Sequence, residues 1–260
     1  MGHNRSMMNT SFDFRDKVAL VTGASAGIGR ATAMAFAASG ALVVLADIDE
    51  ARGTTVAAEI DAAGGRALFQ RADLTLPADV DALFGLISDR CGRLDFAHNN
   101  VGAAWGSAVL ETSIDEWDRT VDLCLKSAFL CMKQEIPLMR EGGGGAIVNT
   151  ASQAGVRYAA LANSAYSAAK AGLIHLTAYV AMAHADDNIR ANCVSPGLVS
   201  TELIKRFLSD EEQIEFARRE QPIGRPLHPD EIAANVLWLC SDGAAMITGE
   251  NLCVSGGGQV

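Results

Sequence analysis

Short apolar runs, many of them β-branched, alternate along this chain with longer stretches in which apolar positions recur every three or four residues. The runs fall at residues 18–22, 41–46, 67–69, 94–97, 146–149, 189–194 and 251–254, and the helical patterns at 30–39, 50–63, 78–91, 114–139, 164–185 and 230–240. Parallel strands need this arrangement, because each is buried on both faces and each crossover takes a helix. The pattern therefore predicts an α/β fold of three layers, a doubly wound sheet of seven parallel strands covered by helices on both faces. Ligands of such sheets bind beyond the carboxyl ends of the strands, so chemistry is expected just after each run.

Three stretches stand outside the alternation. The glycines at 142–145 cannot continue a helix and read as a turn into the next strand. Residues 200–221 are charged and helix-forming and lie between Pro196-Gly197 and Pro222, which predicts a hinged excursion and a place for a substrate lid. Residues 1–11 are polar without periodicity and read as a disordered leader or expression remnant, leaving a single catalytic domain at 12–260.

The first run passes into Thr22-Gly23-Ala24-Ser25-Ala26-Gly27-Ile28-Gly29 and then a helix. Glycines at this spacing, in the first strand-to-helix turn, let backbone N–H groups approach a pyrophosphate at the helix N-terminus. The second run is followed by Asp47, 18 residues beyond Gly29. A carboxylate there accepts from the adenosine ribose hydroxyls and repels a 2′-phosphate. Ala26 and Ile48 offer such a phosphate no cation, so the cofactor expected is NAD rather than NADP; an ordinary helix-capping aspartate is the alternative. Tyr166 and Lys170, at i and i+4 of one predicted helix, share a face. An ammonium beside a phenol, which titrates near roughly 10 in water, favours the phenolate and makes a general base. Taken alone, that spacing also fits a packed tyrosine and a solvated lysine. Ser152 follows the run at 146–149, where its hydroxyl can hold a substrate oxygen, and Ser164 is the rival hydroxyl by proximity.

The glycine turn, Asn99-Asn100-Val101-Gly102, Tyr166-Ser167-Ala168-Ala169-Lys170 and Pro196-Gly197 occur in the order found in the short-chain dehydrogenase/reductase family, which the chain resembles from residue 14 to residue 260. The resemblance implies the Rossmann type of doubly wound fold and hydride transfer between NAD and a secondary alcohol or its ketone. It makes Tyr166 the acid/base, Ser152 the holder of the substrate oxygen and Lys170 the group that lowers the tyrosine pKa. It places Gly23, Ser25, Gly27, Ile28 and Gly29 on the cofactor phosphates, Asp73 and Leu74 beside the adenine, and Asp47 and Asn100 beside the adenosine ribose. Tyr166, Lys170, Pro196 and Val199 are further cofactor-binding positions, and Thr201 meets the nicotinamide carboxamide. Cys124 stands where the family has a catalytic asparagine that holds a relay water, partly through its backbone carbonyl. A thiol lacks the amide and the carbonyl remains, so Cys124 reads as a tolerated relay, a mark of a slower or repurposed enzyme, or plain core.

The general pattern is similar to family members acting on cyclic diols, sugars and sterols. A 3-oxoacyl thioester reductase is the alternative enzyme, although Asp47 argues against its usual NADPH. An NAD-binding regulatory protein with little catalysis is the alternative of another class, kept open by Cys124. The family habit implies a homotetramer with the last strand and the 230–240 helix at one interface.

Composition narrows the partners. A net charge of -10 and a pI near 4.9, without a basic cluster, exclude nucleic acid and an anionic membrane surface and leave a small-molecule alcohol or ketone. Cys91, Cys124, Cys131, Cys193, Cys240 and Cys253 show no C-x-x-C pair and no zinc-ligand spacing, so reduced thiols in a cytoplasmic protein are expected. No apolar stretch reaches the length of a bilayer span. His98, His175 and His184 are scattered without acidic partners at ligand spacing, so no metal is expected. Trp105, Tyr158 and Phe207 are candidate pocket walls, equally open to surface or core roles. Glu111, Asp115, Glu116 and Asp118 surround a helix start, where negative charge suits the macrodipole.

Overall fold

The structure, a computed structural model, describes residues 12–258, so the expected leader at 1–11 lies outside the described residues. Among the described residues seven strands form one parallel sheet: β1 (Val18–Thr22), β2 (Leu42–Asp47), β3 (Arg66–Arg71), β4 (Phe96–Asn99), β5 (Gly145–Thr150), β6 (Ile189–Pro196) and β7 (Asn251–Val254). Their order is β3-β2-β1-β4-β5-β6-β7. Successive side chains of a strand point to opposite faces, and both faces are covered. Ala19 and Val21 of β1 join a core under α1 (Gly27–Ala38), α2 (Glu50–Ala62) and α8 (Pro229–Cys240). Val18 and Leu20 join a second core under α3 (Pro77–Cys91), α5 (Ser127–Glu141) and α6 (Ser164–Ala183). This is the three-layer, doubly wound arrangement the runs predict.

The helix expected at 114–139 comes in three joined pieces. After α4 (Ile114–Val121), residues Asp122–Lys126 form a π-helical turn that leads straight into α5. α4 opens with a capping box in which Ser113 Oγ accepts from Glu116 N at 3.2 Å and Glu116 Oε2 accepts from Ser113 N at 2.9 Å. Of the acidic residues around this helix start, Glu116 thus has a defined capping role. In the 200–221 excursion, α7 (Asp210–Glu220) is capped by Ser209 and Glu212 in the same way. Gln221 pins its far end, accepting from Leu198 N at 2.5 Å and donating to Arg225 O at 2.7 Å. No described helix is long and apolar enough to cross a membrane.

A polar chain runs through the second core beneath the strand ends. Asn99 Nδ2 donates to Asn149 Oδ1 at 2.9 Å and to Glu135 Oε2 at 3.2 Å, and Asn149 Nδ2 donates to Thr177 Oγ1 at 2.8 Å. Burial pushes the Glu135 carboxyl up to about 8, against the opposing hydrogen bond from Asn99. The folded protein therefore keeps a proton that an unfolded chain releases near its ordinary value of 4.5. This stabilisation is complete below that value and is lost as pH rises through the window toward 8. Glu135→Gln, neutral at every pH, is expected to lack this loss. Urea unfolding from pH 5 to pH 8 checks it: wild type should fall relative to the variant by about 1.4 kcal/mol per pH unit across the window. Parallel curves would contradict the protonated carboxyl.

Candidate active site

α1 begins inside the glycine turn, so the open N–H groups of its first turn face the cleft beyond β1. Gly23 and Gly27 have φ of 62° and 53°, in the left-handed region that favours glycine. A Cβ on Gly29 would lie 2.0 Å from Gly23 O, so α1 can rest on the turn only without a side chain there. Ile28, in the first turn of α1, packs against the first core. Asp47, at the end of β2, accepts from Ser25 N and from Asp49 N, both at 2.9 Å, which holds its carboxylate beside the turn. Asp73 spends Oδ1 on Thr75, accepting from its N–H at 3.0 Å and its hydroxyl at 2.7 Å. Leu74 is buried in the second core, so its side chain is no open wall of the cleft.

The segment after β6 closes on the same turn from the opposite side. Pro196 ends β6, and buried Val199 forms an isolated parallel bridge with Leu227. Thr201 Cγ2 lies 3.2 Å from the place of a Cβ on Gly27. Glu202 Oε2 accepts from Gly27 N at 3.2 Å, so a carboxylate already stands where the α1 N-terminus can receive an anionic pyrophosphate. Glu202 is not among the residues expected at the site. Its only signal was adjacency to Thr201, and its contact spans 175 residues.

Ser152, Tyr166 and Lys170 are brought together by β5 and α6. Ser152 caps the short 3-10 turn Gln153–Gly155, with Oγ accepting from Ala154 N at 3.1 Å, which leaves the hydroxyl proton to donate outward. A Cβ on Gly155 would lie 2.7 Å from the carbonyl carbon of Lys170, so the missing side chain lets α6 press on the turn that carries Ser152. Asn163 caps α6 by accepting from Tyr166 N at 2.8 Å and donates to Trp105 O at 2.6 Å, tying the loop after β4 to the start of the helix. Lys170 is 1% exposed; its Nζ donates to Thr150 O at 2.7 Å and lies 5.6 Å from the Tyr166 ring centroid. Ser164 opens α6, its N–H donating to Ser107 O of the loop after β4 at 3.3 Å.

Cys124 lies in the π-helical turn, an irregularity that the apolar spacing does not signal. Its buried Sγ donates to Ala103 O at 3.1 Å. Gly102 sits between thiol and lysine, for a Cβ there would be 3.2 Å from Lys170 Nζ and 3.7 Å from Cys124 Sγ. A small cavity of about 10 Å³, the size of one water, is lined by Cys124, Thr22, Asn99 and Ser127 among others. Asn100 Nδ2 donates to Thr22 O at 3.3 Å, directly under the glycine turn. Trp105 is a loop anchor stacked under the Arg119 guanidinium at 3.8 Å, while Tyr158 and Phe207 are exposed. Contrary to the expectation that the histidines lack acidic partners, His184 pairs with Asp187 at 2.9 Å, a carboxylate shared with Arg140. It sits at the far end of α6, and among the described residues no three His, Cys, Asp or Glu side chains gather as metal ligands.

Residues 23–259 match the family model described as Enoyl-(Acyl carrier protein) reductase. The chain belongs to the short-chain dehydrogenase/reductase family. This dehydrogenase/reductase is 40% identical over 245 residues to a cyclohexanol dehydrogenase of Acinetobacter sp. (strain SE19), covering 94% of this chain and 95% of that one. It is similar to a solved 7α-hydroxysteroid dehydrogenase complexed with NADH and 7-oxo glycochenodeoxycholic acid, with a TM-score of 0.89, 32% identity and coverage of 94% and 95%. L-sorbose reductase from Gluconobacter frateurii, complexed with NADPH and L-sorbose, matches with a TM-score of 0.90, 30% identity and coverage of 95% and 98%. The family is one of oxidoreductases that bind a nicotinamide cofactor, and these two neighbours differ in which one they carry.

The close approach at Gly155 leaves no room for a side chain between α6 and the Ser152 turn in this dehydrogenase/reductase. Gly155→Val must push α6 away from the turn after β5, separating Ser152 from Tyr166 and Lys170. Turnover is expected to fall at least roughly a hundredfold, since misplacement by about 1 Å costs that much, with a smaller effect on dinucleotide affinity. Steady-state kinetics beside a direct binding titration check both halves.

Proposed function

We propose that this chain is an NAD-dependent dehydrogenase that interconverts an apolar secondary alcohol and its ketone. The observation that carries the reading is the buried Lys170 ammonium, held by Thr150 O on the same helix face as Tyr166, with Ser152 on the turn that α6 touches. In the oxidative direction Tyr166, as phenolate, takes the hydroxyl proton of the alcohol. Ser152 donates its hydroxyl hydrogen to the same substrate oxygen and fixes the carbinol in place. Lys170 supplies a fixed positive charge beside the phenolate. Bound NAD supplies the hydride acceptor. In reduction Tyr166 returns the proton to the oxygen.

The residues present fit a dinucleotide: Gly27 N at the α1 N-terminus donates to a carboxylate in this structure, a position suited to an anionic phosphate once Glu202 moves aside, and Gly23, Gly27 and Gly29 keep the turn compact. The choice of NAD rests on Asp47. Arg30, just after the glycine turn, and Arg52, in the first turn of α2, pair with Glu59 at 2.6 Å and Asp49 at 2.7 Å, directed to these carboxylates and not toward Asp47. The substrate class rests on the rim of the cleft, where Leu110, Val156, Tyr158, Leu161, Leu203 and Phe207 stand exposed on the loops after β4, β5 and β6. An apolar rim suits an alicyclic or larger apolar alcohol better than a polyol, in keeping with the cyclohexanol dehydrogenase relative. The 200–221 excursion acts as the lid in this reading. Exposed Phe129, Tyr179 and Met182 on α5 and α6 offer an apolar face for a homo-oligomer. Asp47 argues against an NADPH-dependent 3-oxoacyl thioester reductase, and the assembled Ser152, Tyr166 and Lys170 argue against a regulator without catalysis.

NAD is expected to bind at least tenfold better than NADP, about 1.4 kcal/mol, and Asp47→Ala should narrow the gap by removing both the ribose acceptor and the repulsion. Titration of both dinucleotides into both proteins checks this, and equal affinities for wild type would sink the carboxylate argument.

Tyr166→Phe is expected to abolish oxidation of cyclohexanol and larger apolar secondary alcohols while leaving NAD affinity nearly intact. The phenylalanine ring still packs but moves no proton. Absorbance of the reduced nicotinamide across an alcohol panel reads the outcome, and a variant retaining a large share of the wild-type rate would remove Tyr166 from the acid/base role.

A further inference from the structure

Beneath the catalytic lysine lies a histidine that the reaction does not touch. His98 is the third residue of β4, 0% exposed, and its Nε2 is 2.8 Å from Thr150 Oγ1 across the sheet. Thr150 closes β5 and faces the site twice. Its carbonyl accepts from Lys170 Nζ at 2.7 Å, and its hydroxyl lies 3.2 Å from Asn100 Oδ1. Asn100 Nδ2 in turn donates to Thr22 O at 3.3 Å and would lie 2.9 Å from a Cβ on Gly29, so this amide is wedged under the glycine turn.

The donors can be assigned by elimination. With Asn100 Nδ2 spent on Thr22 O, Asn100 Oδ1 is an acceptor only, so the Thr150 hydroxyl donates to it. Thr150 Oγ1 then has lone pairs to offer His98, and Nε2 carries the imidazole hydrogen. Nδ1 is left as a bare lone pair without a partner. Burial, and after it the charge of Lys170, pushes the ring down to about 3, so His98 is neutral and keeps this single N–H throughout the working range. The resulting chain runs one way: His98 N–H to Thr150 O–H to Asn100 C=O, then Asn100 N–H to Thr22 C=O. Bonds aligned in this manner polarise one another.

We propose that His98 is a positioning residue of the dehydrogenase: through Thr150 it fixes the Asn100 amide under the glycine turn and the carbonyl that holds Lys170. The inference rests on the reading of the site as a dinucleotide-dependent dehydrogenase. Without the His98 donor, the Thr150 hydroxyl is released to rotate, the Asn100 amide loses the constraint on its orientation, and the seats of cofactor and lysine loosen together. Packing alone does not ask for a histidine here, because an apolar side chain of similar size fills the space without leaving an orphan nitrogen.

The test uses His98→Leu, which keeps the volume and removes the donor, and His98→Gln, whose amide N–H can stand in for Nε2–H. Each is measured for thermal unfolding, for NADH affinity by fluorescence titration, and for kcat and KM on an apolar secondary alcohol. His98→Leu is expected to unfold within a few degrees of wild type, to bind NADH roughly tenfold more weakly and to lose roughly tenfold in kcat. His98→Gln should recover both to within about threefold. Should His98→Leu fail to fold, Thr150→Val, which cuts the same link at the hydroxyl, carries the measurement with Thr150→Ser as its rescue. A folded His98→Leu with wild-type affinity and turnover, or Leu and Gln variants that are equally impaired, would overturn the proposal. If wild type oxidises no alcohol, the dehydrogenase reading fails, while the NADH titration still decides whether His98 positions the glycine turn. A wild type that binds neither NADH nor NADPH would overturn both.

Discussion

A lysine ammonium held almost wholly out of water sets the terms for everything around it. An unpaired buried charge costs several kcal/mol, so Lys170 needs an oxygen close by and nothing that competes for its space. Thr150 supplies the oxygen, as the last residue of β5 in register with Val194 of β6. Gly102 supplies the space, since a methyl group there would come within 3.2 Å of the ammonium. Even the neutral His98 fits this constraint, because a second cation at that depth would face the first with little water between them. Parallel topology is what makes the arrangement available, for it sends the ends of β1, β4 and β5 to one edge, where helix N-termini and strand carbonyls converge.

The same burial couples chemistry to packing. α6 delivers Lys170 and Tyr166 only because it lies against the turn that bears Ser152, and that contact is governed by the absent side chain of Gly155. On the other flank, the thiol of Cys124 holds Ala103 O and so keeps the Gly102 backbone beside the ammonium. A thiol in that place anchors a loop through its hydrogen bond, a task separate from any water its backbone carbonyl could hold.

Much of this was legible in the sequence. Strands buried on both faces are mostly apolar, despite buried His98, Asn99, Asn149 and Asn192, so the architecture could be placed by pattern. The glycine turn, Asp47, Ser152, Tyr166 and Lys170 each sit just after a run or on one helix face, and the remaining candidate residues came from the family resemblance. The outer strand β3 was read as three residues and spans six, because Arg66, Gln70 and Arg71 lie at the sheet edge and need not be apolar. Other features depend on distant partners. The π-helical turn at Cys124 has no periodic signature and packs where Gly172 of α6 lets Leu125 approach. His98 looked scattered because Thr150 is 52 residues away, and Glu202 passed unnoticed because Gly27 is 175 residues away. His184 and Asp187 are only three apart, and there the signal was present and went unread.

The turn that carries Ser152 is braced by one further long connection: Gln153 Nε2 donates to Gly258 O, 105 residues onward, while Ile223 N donates to Gly256 O at 3.0 Å. As the chain emerges during synthesis, β1 to β5 and their helices can settle while these partners do not yet exist. The brace on the turn that bears Ser152 therefore closes only once residues 256–258 are available, joining a long loop whose closure entropy is met late. In the order of assembly the glycine turn after β1 comes early, and the final seat of the Ser152 turn waits for a partner 105 residues further along the chain.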